Sequence, residues 1–327
     1  MDSCCVASEA MVQIVPSLIH ILVTSHPDDE SMFFLPWIYY TTHQQKYDPS
    51  ISSVVWLLCL TTGNFDGLGK IRSQELHDVN EDVLHSHGFQ KIIIIDEPDI
   101  MPDHPKQRWN ISLTAELIHT KLCLILNEEY GSESKRPSTL SFVTFDHRGV
   151  SGHVNHFDTY RAVQHLYHQQ LLLLQSSSST TISNQQLLLA NETVEVWVLQ
   201  TMQNPISKYI PIIEWIRLVL HAILRWYPKS EMRTIHKHCQ PESLLYNLLQ
   251  PSLNWSAMST HQSQFVWYRR LFVIFSIYTY KNTFHKLIPN KTTYIANEET
   301  ISNPSIAGRS HIPQQGQQED YDTKKEL

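Results

Sequence analysis

What the chain lacks narrows it first. No uninterrupted apolar run reaches the roughly 18 residues that a membrane-spanning helix needs, and the N-terminus has neither the basic start nor the long apolar middle of a secretory signal. The chain is therefore expected to be soluble or peripherally attached. Cysteine is scarce and odd in number. Cys4, Cys5, Cys59, Cys123 and Cys239 include no Cys-x-x-Cys spacing, which argues against a disulfide framework or a thiolate zinc site and fits a reducing compartment. Adjacent Cys4 and Cys5 have no flanking helical pattern to support acylation. Long basic runs are missing too, and a formal net charge of −7 does not indicate a nucleic-acid partner.

What is present is an alternation. Five short aliphatic or β-branched runs, Leu18–Val23, Ser53–Leu60, Ile92–Ile95, Ser141–Phe145 and Val194–Leu199, read as buried strands. Between them, Glu30 to Gln45, Lys70 to His87 and about Ser112 to Glu128 carry apolar residues at helical spacing. Strand and helix in alternation predict one α/β domain over residues 17–287, a Rossmann-like, mostly parallel sheet with helices on both faces and a helical C-terminal extension. An N-terminal segment, residues 1–16, precedes it. A Leu, Gln and Ser low-complexity insert at about residues 170–190 interrupts it, and a disordered tail, residues 288–327, follows.

The chemistry concentrates where the first strand hands over to a helix, at Thr24 to Glu30. In an open α/β sheet that carboxyl edge is where ligands bind. His26, Asp28 and Asp29 would repel or desolvate one another in a core unless they shared a cation. His26 and Asp29, three apart, share one side of a first helical turn, which leaves Asp28 facing whatever the cation holds. Imidazole and carboxylate suit zinc, whose catalytic sites keep three protein ligands and one open position. The plainer alternative is that Asp28 and Asp29 cap the following helix.

A His-x-x-His pair, His153 and His156, follows the fourth strand. With 19 histidines, about one such pair arises by chance, and His165 with His168 is a second. Position separates them. Gly149 and Gly152 permit a tight loop at the sheet edge before the first pair, whereas the second reads as a solvated helix face.

These residues also carry a resemblance. Ser25-His26-Pro27-Asp28-Asp29-Glu30 is similar to the His-Pro-Asp-Asp-Glu motif of the zinc-dependent de-N-acetylases of the LmbE-like superfamily. Thr62-Gly63-Asn64 with Gly67, Gly69, Arg72, Glu75 and Leu76 is similar as well, as is the stretch from Asp146 to His156. Gln262 to Arg270 resembles the C-terminal part of the branch that acts second in GPI-anchor synthesis, and the likeness spans roughly residues 18 to 285.

The resemblance implies hydrolysis of the N-acetyl group of N-acetylglucosaminylphosphatidylinositol, giving glucosaminylphosphatidylinositol and acetate. It implies a divalent metal, Zn2+, on His26, Asp29 and His156, with Asp28 as general base and a protonated His153 assisting at the substrate carbonyl. It further implies Arg72 near the inositol phosphate or sugar hydroxyls, and Asp103 accepting from sugar hydroxyls. The setting it implies is a glycolipid met at the cytosolic face of the endoplasmic reticulum membrane. Members of that branch usually carry an N-terminal membrane helix that this sequence does not show.

Read from the residues alone, several alternatives stay open. Arg72 and Glu75 could form a surface ion pair, and Asp103 could be a turn residue. The same chemistry could serve a soluble N-acetylglucosamine conjugate, or the fold could serve only to bind a sugar or a partner, although binding alone needs no water-activating base. Ile212 to Arg225, with Glu214, Arg217, His221 and Arg225 as a polar stripe, either lies in a membrane interface or packs on the sheet. The same choice holds for Trp267 to Tyr280, where Arg269 and Arg270 stand beside aromatics. Lys324 and Lys325 resemble a dilysine retrieval signal or are two lysines of a charged tail.

Overall fold

The computed structural model describes residues 16–47, 52–85, 88–131, 136–176, 193–225, 235–240, 243–248 and 250–288. Cys4, Cys5, most of the expected insert and the C-terminal tail with its two lysines lie outside the described residues. Residues 170–176, expected within the insert, instead continue a helix.

The expected strands are present as β1 (Leu18–Thr24), β2 (Ser53–Cys59), β3 (Lys91–Ile94), β4 (Thr139–Phe145) and β5 (Thr193–Leu199). They pair in parallel in the order β3-β2-β1-β4-β5. A π-helical turn, Glu30–Phe34, leads into α1 (Leu35–Tyr47); α2 (Gly69–Asp78), α3 (Ile111–Tyr130), the short turn α4 (Gly149–Gly152) and α5 (Val154–Ser176) follow.

Alternation along the strands separates two cores. Ile19, Ile21 and Val23 join Trp56 and Leu58 on one face, under Ala115 and Ile118 of α3 and Ala162 and Val163 of α5. Leu22, Val55 and Leu57 point the other way, under Phe34 of the π-helical turn, Trp37 of α1 and Leu76 of α2. With both faces covered, the strands read as near-continuous apolar runs, as a buried parallel sheet requires.

Past β5 the structure adds more than the helices expected there. After α6 (Pro205–Tyr209) and α7 (Ile212–Arg225) come β6 (Ile235–Gln240) and β7 (Ser243–Leu248), then α8 (Pro251–Thr260), α9 (Trp267–Phe275) and β8 (Lys281–Lys286). The three strands extend the sheet antiparallel, in the order β5-β8-β7-β6. β8 carries Lys281, Asn282, His285 and Lys286, so its alternation is too polar to read as a strand beforehand.

The topology fixes where a ligand can go. β2 and β3 lie to one side of β1, while β4 and β5 lie to the other, so the winding reverses between β1 and β4. Leu22 stands opposite Val143, which brings the carboxyl ends of those two strands side by side. That crevice is the switch point at which open α/β sheets bind ligands.

Candidate active site

The turn after β1 is held in an uncommon conformation. Asp28 has φ +123°, a region that non-glycine residues rarely occupy unless their surroundings enforce it. Here Glu30 supplies the enforcement, its carboxylate accepting from the Asp28 N–H at 3.0 Å and the Ser31 hydroxyl at 2.7 Å. Helix capping does not account for Asp29, whose side chain makes no cap bond. Its Oδ2 accepts from the backbone N–H groups of Ser25 (3.0 Å) and His26 (2.8 Å) instead, and its Oδ1 lies 3.0 Å from His156 Nε2.

The other wall comes from the turn after β4. Gly149 has φ +61°, and a Cβ there would stand 2.9 Å from the Cβ of His156, so conformation and close approach both require glycine. Its carbonyl lies 2.9 Å from His156 Nδ1, and the ring stacks on Phe145 with centroids 4.2 Å apart. A proton on Nδ1 satisfies that carbonyl, so that Nε2 is the ring nitrogen left to ligate a cation shared with Asp29. His26, His153 and His156 bring ligand atoms within 4.8 Å of one another. His165 and His168 lie farther along α5, outside this cluster.

The donor set fits a divalent cation. Three imidazoles and the buried Asp29 carboxylate converge, and Asp103 Oδ1 sits 3.0 Å from His26 Nε2 in the manner of a carboxylate orienting a ligating histidine. Burial disfavours charge on Asp29, but the His156 and His26 imidazoles outweigh it and hold the carboxyl well below its usual range. Burial likewise opposes a charged His26, yet hydrogen bonds to Asp103 and Asp29 raise it to about 9. The pocket without a cation therefore already favours positive charge beside Asp29.

His153 differs from the expectation in its protonation. Burial and the neighbouring His26 and His156 rings push it down to about 4, so near neutral pH it is a neutral imidazole rather than the cation expected. Its Nδ1 accepts from the Asn155 N–H at 3.3 Å, which leaves the ring proton on Nε2 as a donor.

Asp103 and Arg72 line the pocket, but their polar atoms are largely committed within the protein. Besides His26, Asp103 accepts from the Phe65 N–H at 2.9 Å and from the Asn155 amide at 3.3 Å. Arg72 donates to the carbonyls of Gly63 (3.0 Å) and Pro27 (2.9 Å) and lies 3.4 Å from Asp28, clamping the turn from below. Glu75, considered above as a surface partner for Arg72, is buried and accepts from the N–H and hydroxyl of Ser263, at 2.7 and 2.6 Å.

Arg269 is the site residue that sequence reasoning missed. From α9 it hydrogen-bonds Asp28, so that carboxylate stands between two guanidiniums. His261 is a second omission, its Nε2 lying 2.7 Å from Glu30 in a fully buried pair. The one available signal was the likeness of Gln262 to Arg270 to a known C-terminal stretch, which names a segment without saying what it touches. The resulting cavity, about 630 Å³, lies in the range of small-ligand clefts, with the histidine cluster on one wall and Tyr209, Tyr268 and Leu271 on another.

Comparison with known proteins points the same way. Residues 21–167 match the family model described as PIG-L, GlcNAc-PI de-N-acetylase. The chain is similar to a Dictyostelium discoideum protein described as a probable N-acetylglucosaminyl-phosphatidylinositol de-N-acetylase, 34% identical over 270 residues that cover 80% of this chain and 91% of that one. It is also similar to the N-acetylglucosaminyl-phosphatidylinositol de-N-acetylases of Saccharomyces cerevisiae and Bos taurus. The first is 28% identical, with 80% of this chain and 79% of that protein covered; the second is 29% identical, with 82% and 83% covered.

Proposed function

From the premise that the chain belongs to the GlcNAc-PI de-N-acetylase family, we propose that it hydrolyses the N-acetyl group of N-acetylglucosaminylphosphatidylinositol, the second step of GPI-anchor synthesis. The observation that carries this reading is the convergence, at the β1/β4 switch point, of His26, Asp29 and His156 with a second carboxylate, Asp28, held beside them by Arg72 and Arg269. Sugar binding alone needs no base beside a cluster of metal-ligating groups. His26, Asp29 and His156 would hold the metal, with Zn2+ the best match to their donor types. Bound there, such an ion lowers the pKa of water to about 7 and polarises an amide oxygen.

The chain's own residues supply the remainder. Asp28 accepts the proton of the attacking water, a contribution of about a hundred- to ten-thousandfold in rate. Neutral His153 donates its Nε2–H to the oxygen of the acetamide as negative charge grows on it. The C–N bond then breaks, the amine of glucosamine takes up a proton, and acetate departs. Asp103 and Asn155 keep the His26 ring oriented throughout. We place the reaction at the cytosolic face of the endoplasmic reticulum, where a glycolipid substrate is accessible to a protein of this cysteine usage.

Purified protein is assayed for bound metal and for acetate release from the glycolipid and from a soluble N-acetylglucosamine conjugate in parallel. Glycolipid turnover that a chelator abolishes and zinc restores is expected. Turnover of the soluble sugar alone would end the substrate assignment.

A further inference from the structure

Two helices near the cavity turn apolar faces outward. On α7, Ile212, Ile213, Ile216, Val219 and Leu220 are all exposed, while Glu214 is buried with only 4% of its surface accessible. On α9, Trp267, Tyr268, Leu271, Ile274 and Phe275 are exposed, while Arg269 points inward to Asp28 and Val273 is buried. The five outward positions follow the same spacing in both helices: i, i+1, i+4, i+7 and i+8. At 3.6 residues per turn that spacing confines them to roughly a third of the circumference. A helix packed on a sheet and facing water turns a polar face outward instead, and the exposed Arg270 of α9 lies outside its apolar stripe. Of the two readings the sequence left open, simple packing on the sheet therefore fails for these faces.

The two helices touch, Trp215 of α7 meeting Phe275 of α9 edge to face at 5.7 Å, and Tyr209 before α7 meeting Phe272 at 6.4 Å. The apolar face is continuous with the cavity, because Tyr268, Leu271 and Phe275 belong to the outward stripe of α9 and also line the pocket. Among the described residues no helix is long and apolar enough to cross a membrane. An apolar stripe of this kind, with Trp and Tyr at its end, matches a helix lying in the plane of a lipid interface.

We propose that the outward faces of α7 and α9 dock on a phospholipid bilayer and hold the cavity mouth against it. The inference rests on the glycolipid reading above, and it explains how such a substrate is reached: the sugar rises into the pocket while its acyl chains stay in the leaflet. Since α9 also carries Arg269 to Asp28, the docking surface and the reacting centre share one helix.

The test uses the full metal-loaded chain and vesicles of phosphatidylcholine and phosphatidylinositol, with co-sedimentation as readout. Ile213→Glu with Ile216→Glu, and separately Trp267→Glu with Ile274→Glu, should each lower vesicle partition by about tenfold or more. Deacetylation of a water-soluble N-acetylglucosaminyl-inositol phosphate should stay at the wild-type rate, while turnover of long-chain glycolipid in vesicles falls in step with binding. Should the charged pair unfold α7, Ile213→Ser with Ile216→Ser serves in its place. Unchanged partition in the folded variants would overturn the proposal. So would a dimer in lipid-free solution that these substitutions dissolve, since it would give the face to a second copy. If partition falls as expected but no protein, wild type included, turns over either the soluble head group or the glycolipid, the docking stands and the catalytic reading fails.

Discussion

The parallel half of the sheet and its antiparallel extension do different work for the same cavity. β1 and β4 deliver the groups with reactive atoms: His26, Asp28 and Asp29 from one turn, His153 and His156 from the other. The later segment adds distant braces to those that Arg72 and Asp103 supply nearby: Arg269 on Asp28, His261 on Glu30 and Ser263 on Glu75. Reactivity is thus local in sequence, within a few residues of a strand end, whereas positioning spans more than 180 residues of chain for each of these distant contacts. The lesson is that a motif can specify which atoms react without specifying what keeps them in place.

Removing a ligand from the parallel half should produce the largest effect. His156→Ala is expected to lose both metal and activity, whereas Asp28→Asn keeps its metal and loses about a hundred- to ten-thousandfold in kcat. Metal analysis and acetate release on the same preparations separate the two. Normal rates with metal retained in both variants would dismantle the roles assigned here.

Removing a strut from the extension should cost stability first. His261→Ala leaves the Glu30 carboxylate buried without its partner, a change that destabilises by about 3–5 kcal/mol. Thermal unfolding reads this directly. A Tm close to that of the wild type would mean that the extension merely covers the site and does not brace it.

Arg269 sharpens the comparison, because it stands in the extension and touches the base. Arg269→Met should lower kcat by about tenfold with little change in Tm, since Arg72 still holds Asp28 from the other side. Arg269→Lys should recover part of the loss. A rise in KM alone would instead assign the guanidinium to substrate binding.

The uneven legibility of the sequence follows from the same division. β1, β2, β3, β4 and β5 lie within two residues of their expected bounds because strands buried on both faces read as plain apolar runs. The motif residues were visible because three ionisable groups in four residues have few structural explanations. β6 and β8 were not visible, since His236, Lys237, His238, Asn282 and Lys286 break the alternation that marks a strand. The Arg269–Asp28 contact joins residues 241 positions apart, and no local pattern encodes such a partner. Periodicity did reveal that α7 has two faces, but it could not tell which one faces outward. The buried Glu214 decides that only once the fold is known.

The smallest expected effect is a pH dependence of stability in the extension. His261 is fully buried, which works against its charged form, but Glu30 beside it, with Asp28 and Glu75 nearby, raises its pKa above the ordinary value of 6.5. Folding therefore favours the protonated ring. The stabilisation is complete below the unfolded-state pKa, near pH 6.5, and is lost as pH rises through the higher folded-state value. His261→Gln keeps a donor for Glu30 and cannot titrate, so the stability difference between wild type and variant should be widest around pH 6 and shrink as the solution becomes alkaline. Chemical denaturation of both proteins across that range measures it. A difference independent of pH would show that the pair holds Glu30 by hydrogen bonding alone, and that the brace on the Asp28 turn owes nothing to charge.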